Sequence, residues 1–402
     1  MRIAFVDGRV IVGDGRMIEN ATVLVEDGNI LKIAKNSLNI PKNTRKISLE
    51  HRTLLPGFID AHIHICMDGS SDPMTASLTE SPTITALKAA ESARRTLMAG
   101  ITTVRDMGGK DGIDFGLRQA IDSGLILGPR MLISGQLICM TGGHGWQVGL
   151  EVNGPDEVRR AARQQIKAGA DIVKLMATGG VLTPSVEPGS EQFTKEELRA
   201  GVEEAHKAGK KTATHAMGTR GIRNALHAGI DSIEHGVYLD DETVAMMVDR
   251  NIPLIPTISA LYNIETRGIE AGIPAFAVEK TLKVKPFHLE SIRMAREAGI
   301  LVAAGTDAGT PFNRHGDNLG EIRLLVDYGG FSPMEAIKAG TGSAARVLGL
   351  DNELGTVAEG KVADLVMVEG NPLDDIDVLL DPEAICLVMQ KGKIVKGNYN
   401  NQ

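Results

Sequence analysis

The sequence predicts an α/β protein: a (β/α)8 barrel with a small β domain assembled from both chain ends. Two observations carry that expectation. The first 50 or so residues hold short alternating runs, Ile3 to Val6, Arg9 to Val12, Ala21 to Val25 and Ile30 to Ile33, separated by Asp7-Gly8, Asp14-Gly15 and Asp27-Gly28. Asp-Gly between alternating apolar runs is the chemistry of tight hairpins. The chain's end repeats it, with Ala363 to Val368 and Ile385 to Val395 as short strands and Lys391-Gly392 as a turn. Between these ends a different pattern recurs, in which a helical stretch closes on Ala-Gly and a short apolar strand follows at once.

That Ala-Gly mark falls at Gly100, Gly169, Gly209, Gly229 and Gly299. Glycine just past a helix end is the expected left-handed terminator. The strands that follow are Ile101 to Arg105, Asp171 to Met176, Lys211 to His215, Asp231 to His235 and Ile300 to Asp307. Runs at Phe58 to Ile65, Arg130 to Ile138 and Ile252 to Ile258 bring the number to eight, and eight βα units make a barrel. The expected division is a composite β-sandwich domain of residues 1–55 plus 356–402 and a barrel of residues 56–355.

Composition narrows the function classes. With 402 residues, 43% apolar, 23% charged and 46 glycines, the chain has the make-up of a soluble globular enzyme rich in tight connections. A net charge of -8 without clustered Lys and Arg argues against a nucleic-acid partner and leaves small molecules as the expected ones. No run of 18 uncharged apolar residues and no signal-peptide pattern is found, so no membrane partner is expected. Three cysteines, Cys66, Cys139 and Cys386, are too few for a disulfide framework and fit a reducing, cytoplasmic compartment. Self-association into a homo-oligomer is compatible with the sequence and not specified by it.

The chemistry begins at His62 and His64. In Phe58-Ile59-Asp60-Ala61-His62-Ile63-His64-Ile65 the β-branched residues indicate a strand, on which residues two apart share a face, so both imidazoles point at one spot. Two imidazoles on one rigid face form half of a transition-metal site. In a barrel the working groups stand at the carboxyl ends of the strands. There the Ala-Gly strands deliver Lys174, His215, His235 and Asp307, at 5, 6, 6 and 8 positions after their glycines. A single strand-end histidine is ordinarily a packed rim residue, and an aspartate there ordinarily caps a turn; the repeated register makes the set unusual. Lys174, flanked by Val173 and Leu175, is the hardest to explain structurally, because an isolated buried ammonium is costly. A desolvated, neutral lysine reacts with carbon dioxide to a carbamate, an anionic ligand able to bridge two cations.

With these residues in place the chain resembles the amidohydrolase superfamily, metal-dependent hydrolases on a distorted (β/α)8 TIM barrel. The matching elements are Pro56-Gly57-Phe58-Ile59-Asp60-Ala61-His62-Ile63-His64, Lys174, His215, His235 and Gly305-Thr306-Asp307, with Ala363-Asp364-Leu365-Val366 and Asn371-Pro372-Leu373 in the terminal β domain. The resemblance implies that His62, His64 and Asp307 hold one divalent metal and His215 and His235 the other. It implies that Lys174 bridges them as a carbamate, the mark of the two-metal branch, with zinc the expected metal. A hydroxide between the cations would attack an amide carbonyl while Asp307 shuttles the proton to the departing nitrogen.

Within the superfamily the Gly142-Gly143-His144 loop, the His235-x-x-Tyr238 spacing and Thr102-Thr103-Val104-Arg105-Asp106 resemble prolidase-like dipeptidases and N-acyl-amino-acid hydrolases. His144 and Tyr238 are then the expected catalytic and substrate-binding contacts at the carbonyl or carboxylate. Arg105, at a strand end, fits either a substrate carboxylate or a salt bridge to a neighbouring acid. The expected substrate is a dipeptide, Xaa-Pro or Xaa-basic, or an N-acyl amino acid. The alternatives are a cyclic amide, imidazolone, aryl urea or carbamate, and, more remotely, a barrel that has lost its chemistry. The loop at residues 179–190 is long for a βα connection and reads as either a lid over the rim or a passive surface loop. His206 and His227 fall in last turns of helices, where partial positive charge suits the dipole. His51, His288 and His315 receive no role.

Overall fold

The structure, a computed structural model, describes residues 2–36 and 38–397. It divides into two compact units, one of Met1–Asp60, Arg94–Thr103 and Gly316–Gln402, the other of Ala61–Ala93 and Val104–His315.

In the first unit, strands from both chain ends form one sheet. Its order is Lys393–Lys396, Ile385–Gln390, Leu365–Glu369, Arg52–Pro56, Arg2–Ile11, Met17–Glu26 and Asn29–Lys35, with Arg45–Ser48 also paired to Arg2–Ile11. The two ends meet where Leu365–Glu369 runs antiparallel to Arg52–Pro56, Val366 opposite Leu55. Asp27-Gly28 and Lys391-Gly392 are two-residue hairpin turns with both residues at positive φ, as their sequences predict. Asp7-Gly8 is different. The runs expected on either side of it are one strand, Arg2–Ile11, with register shifts at Gly8 and Asp7 at φ 61°, so the dipeptide makes a bulge and not a hairpin. A Cβ at Gly8 would lie 2.1 Å from Leu49 Cβ, which explains why glycine occupies the bulge. Phe5, Leu54, Leu365 and Met389 are fully buried in the core of this sheet, each such side chain contributing roughly 1.5–3 kcal/mol.

In the second unit the strands run parallel. Ile138–Cys139, Ile172–Met176, Lys211–Ala216, Ile233–His235 and Leu254–Ile255 are successive neighbours, with Lys174 beside Ala213 and Ala216 beside His235. A further sheet orders Phe58–Ile63, Ile101–Asp106 and Arg130–Ile133. The five Ala-Gly marks behave as predicted: Gly100, Gly169, Gly209, Gly229 and Gly299 all lie at positive φ, between 67° and 103°, just past helix ends. Two expected strands are shorter than their sequences suggest. Ile252 to Ile258 yields only Leu254–Ile255, because Pro253 and Pro256 flank it and neither can donate to a ladder. Ile300 to Asp307 forms no continuous strand, only the bridges Leu254–Val302 and Ile63–Ala308. Its backbone is nevertheless tied along its length, Ala61 N–H to Ala304 O, Asp307 N–H to His62 O and His64 N–H to Ala308 O. The close approach needs glycine at 305, where a Cβ would sit 2.9 Å from His62 Cβ and 2.5 Å from Ile255. Among the described residues no helix is long and apolar enough to cross a membrane.

Candidate metal centre and active site

One small cavity is lined by His62, His64, Lys174, His215, His235 and Asp307, together with His144. All six residues expected at the rim therefore face a single space. His62 Nε2, His64 Nε2 and Asp307 Oδ1 converge, the carboxylate oxygen lying 3.4 Å and 3.2 Å from the two imidazoles. Ring centroids of His62 and His235 are 5.2 Å apart, and those of His215 and His235 4.5 Å. Ligand atoms of His62, His235 and Asp307 lie within 4.8 Å of one another. This grouping crosses the two sets expected from the resemblance, which put His62 with His64 and Asp307, and His235 with His215.

Each of the four imidazoles has one nitrogen engaged away from the cluster. His62 Nδ1 bonds Glu234 at 2.8 Å, His64 Nδ1 faces Gly108 O at 3.4 Å, His215 Nε2 donates to Gly179 O at 3.0 Å, and His235 Nδ1 bonds Thr257 Oγ1 at 2.7 Å. Fixing the outer nitrogen selects the tautomer and leaves the inner lone pair for a cation, the usual support of metal-binding histidines. Burial, joined by neighbouring positive groups, holds His62, His215 and His235 well below the usual imidazole range, so all three are neutral as ligands must be.

Lys174 is 2% exposed and its Nζ has no hydrogen-bond partner. Burial, working against the charges of Glu234 and Asp307, lowers its ammonium to about 8. An orphaned amine amid neutral imidazoles and a carboxylate suits a group that adds oxygen ligands to that nitrogen. Asp307 behaves oppositely: burial disfavours its charge, yet the His64 hydrogen bond and the surrounding positive groups hold it at about 2.

Backbone conformation shapes the cluster. His235, Thr257 and Asp307 adopt φ of 70°, 55° and 61°, the left-handed region that costs a non-glycine residue about 1–3 kcal/mol. At His235 the turn breaks strand alternation, so that Glu234 and His235, adjacent in sequence, both serve the interior.

Glu234 was not marked out by the sequence, and it explains Arg105. The Arg105 guanidinium bonds both Glu234 oxygens at 2.9 and 3.0 Å, Ser232 Oγ at 3.2 Å and, through Nε, Ala61 O at 2.5 Å. All of it is buried. Arg105 is therefore committed to a salt bridge and is not available to a substrate carboxylate; it fixes Glu234, which fixes His62. Replacing Glu234 by Ala would leave Arg105 buried and unpaired, with an expected loss of about 3–5 kcal/mol and a roughly 10–100-fold loss of metal affinity through His62. Urea melts and metal titration check this; a melt displaced by less than about 1 kcal/mol would remove the relay from the account.

His144 reaches the cavity from its glycine-rich loop. Its ring lies 4.4 Å from that of His215, Nδ1 is 2.9 Å from Thr183 Oγ1, and its backbone N–H bonds Gln192 Oε1 at 3.0 Å. Gly180 is required opposite it, since a Cβ there would stand 2.3 Å from His144 Nε2. Thr183, Gln192 and Thr257 are supporting residues that sequence reasoning passed over; nothing in their local pattern sets them apart. Tyr238 is not brought to the cavity. After the positive φ of His235 and Gly236 the chain turns outward, and the Tyr238 ring packs against Phe287, centroids 5.1 Å apart. His206 and His227 lie in the last turns of Lys195–Lys207 and Thr219–Ala228, as their positions predict.

A family model of the amidohydrolase family matches residues 53–395. The chain belongs to the amidohydrolase family. It is an enzyme acting on carbon–nitrogen bonds. Relatives within the family include the ochratoxinase of Aspergillus niger, 33% identical over 382 residues that cover 88% of this chain and 78% of that protein. A solved Xaa-Pro dipeptidase with methionine bound in its active site is 34% identical with a TM-score of 0.91, covering 99% of this chain and 100% of that one. A prolidase complexed with N-methylphosphonate-L-proline is 30% identical with a TM-score of 0.92, over 99% and 100% of the two chains.

Proposed function

We propose that this amidohydrolase cleaves the amide bond of a dipeptide or an N-acyl amino acid, using two divalent ions, zinc by preference, held by His62, His64, Lys174, His215, His235 and Asp307. The observation that carries the reading is the single cavity faced by all six, each imidazole braced on its outer nitrogen. Lys174 is read as the bridging ligand: its neutral Nζ adds to carbon dioxide, an N–C bond forms and a proton is released. The orphaned, buried amine supports this. When bound, the metals supply Lewis-acid polarisation of the carbonyl and a lowered pKa for water.

The chain's own groups do the rest. Asp307, charged at neutral pH, accepts the proton of the attacking water and delivers it to the departing nitrogen. The C–N bond breaks as the C–O bond forms, releasing a carboxylate and an amine. His144 is read as the donor of a hydrogen bond to the carbonyl oxygen, a role supported by its contact with Thr183 and by the burial that holds it neutral at about 3. Prolidase and ochratoxinase relatives support an amino-acid-containing substrate.

The same reading includes a closed (β/α)8 barrel of residues 56–355 and a β-sandwich of residues 1–55 plus 356–402. The ties from Leu254 through the 302–308 segment to Ile63 support the first, and the sheet joining both ends supports the second. Free cysteines at 66, 139 and 386 support a cytoplasmic setting. Incubating zinc-loaded protein with Xaa-Pro dipeptides, N-acetyl amino acids, cyclic amides and aryl ureas tests the substrate class. Turnover of the first two groups is expected. Turnover confined to the ring amides or ureas would overturn it.

A further inference from the structure

His144 is cradled by the loop that follows the strand Ile172–Met176. Both of its polar supports stand on that loop, Thr183 Oγ1 at 2.9 Å from Nδ1 and Gln192 Oε1 at 3.0 Å from the backbone N–H. Thr183 is fully buried. A hydroxyl has one hydrogen to give and two lone pairs to receive with. The Gly145 N–H donates to the same oxygen at 3.4 Å, and the hydroxyl hydrogen has no acceptor among the described residues other than His144 Nδ1. A buried hydroxyl spends its hydrogen where an acceptor stands. Nδ1 is then the acceptor and the ring's own hydrogen sits on Nε2, the tautomer that can donate to a substrate carbonyl.

What holds Thr183 is a residue 97 positions further along the chain. The turn at residues 183–186 does little for itself: Val186 N–H reaches Thr183 O only at 3.4 Å, and Pro184 has no N–H. Lys280, on the helix Ala275–Glu297, supplies what is missing. Its buried ammonium donates to the carbonyls of Thr183, Pro184 and Val186 at 2.7, 3.2 and 2.6 Å, one bond for each of its hydrogens. The same helix adds an apolar footing, with Ala277 and Val278 in one buried cluster with Val181, and a tie from Lys283 to Glu187 at 3.1 Å. That second ion pair is exposed and contributes little, so Lys280 is the lock. The 179–190 loop is therefore held at its turn, which fits neither a free lid nor a passive surface loop.

We infer that Lys280 is a positioning residue for the hydrolytic step: by locking the 183–186 turn it holds the Thr183 hydroxyl against His144 and keeps that imidazole aimed, with its hydrogen on Nε2. The inference rests on the amide-hydrolase reading, in which His144 donates to the carbonyl oxygen, and adds how that donor is prepared. Negative charge grows on this oxygen only as water attacks, so a misaimed donor costs more in the transition state than in the bound substrate. Loss of the lock therefore shows in kcat and little in KM.

The test compares zinc-loaded Lys280→Met, Thr183→Val and Thr183→Ser with wild type, on the Xaa-Pro dipeptide or N-acetyl amino acid that wild type turns over fastest. Lys280→Met and Thr183→Val are expected to lower kcat about 10–100-fold, with KM changed less than about threefold and zinc content unchanged. Thr183→Ser keeps the hydroxyl and is expected to stay within about threefold of wild type. In a His144→Gln background, Lys280→Met should cost less than about twofold more, because its effect runs through that ring; a merely structural lysine would cost as much as before. Lys280→Gln, with one donor at its head, stands in should the methionine variant fold poorly. A kcat within about threefold of wild type in the Lys280 variant, or a full loss that persists without His144, overturns the inference. If no compound is hydrolysed, the functional reading fails and two measurements without turnover decide the lock separately. Nitrogen-15 NMR of labelled histidines should show wild-type His144, assigned by its absence in His144→Gln, as the Nε2–H form, and Lys280→Met should mix the tautomers. Hydrogen exchange across residues 179–192 should quicken about tenfold or more in the same variant. Either one left unchanged overturns the lock.

Discussion

Replacing Asp307 by Asn is expected to lower kcat by about 10²–10⁴-fold while leaving the fold and the metal content close to those of the wild type. The side chains are nearly isosteric, and Asn keeps an oxygen where the carboxylate now approaches His64 Nε2 at 3.2 Å and His62 Nε2 at 3.4 Å. What the amide cannot do is take up a proton. Asp307 is held at about 2 because hydrogen bonding to His64 and nearby positive groups outweigh the burial penalty, so it is a carboxylate throughout the neutral range. Its strained φ of 61° is set by the backbone bond from its N–H to His62 O, which the substitution leaves in place. Kinetics on metal-matched samples separate the proton role from ligand loss. Residual turnover above about a tenth of wild type, with equal metal content, would remove Asp307 as the proton shuttle.

The sequence made much of this site legible because its punctuation is geometric. The five Ala-Gly marks sit at positive φ past helix ends, and the segments after four of them carry Lys174, His215, His235 and Asp307 into one cavity with His62 and His64. Where local pattern and structure part, a tertiary cause is visible. Glu234 and His235 cannot both face inward on a regular strand, so period-two reasoning kept the histidine and passed over the glutamate; the left-handed turn at His235 lets both serve. Arg105 reads equally well as a substrate anchor or an ion-pair partner until Glu234, 129 residues away in the chain, is seen against it. Tyr238 fits a family-like spacing, but the two positive-φ residues before it carry the chain out of the cavity. Asp7-Gly8 has the composition of a hairpin turn, and only contact with Leu49 explains its use as a bulge. His288 lies on the helix Ala275–Glu297 with no periodic feature to distinguish it, and only the folded chain brings it beside His215 and His235.

Lys174→Met is expected to give a protein that is inactive, short of metal and yet more stable than metal-free wild type. The three effects share one cause. A lysine 2% exposed without a hydrogen-bond partner is unfavourable in its charged form, and burial brings its pKa from 10.5 to about 8 despite the attraction of Glu234 and Asp307. The unfolded chain therefore binds more protons than the folded one between about pH 8 and 10.5, so stability of the metal-free protein rises with pH across that window and carries the full penalty below it. A tenfold weakening of proton binding corresponds to about 1.4 kcal/mol, which puts the neutral-pH gain on replacing Lys174 by methionine on the order of 3 kcal/mol. The gain should shrink toward zero as the pH rises to about 10.5 and beyond, where the folded lysine is neutral and the unfolded one loses its proton in turn. Methionine matches the length of the stem but cannot add carbon dioxide, so metal content should fall below two equivalents and turnover should vanish. Urea melts in chelator at pH 7 and pH 10.5, set beside metal analysis, examine both halves. A destabilised Lys174→Met variant would contradict the desolvation argument, and one that still retains two tightly held metals would contradict the bridge. Trading stability for a reactive amine is what a functional lysine in an apolar strand requires; a structural one would have found a partner, as Lys280 has with three carbonyls.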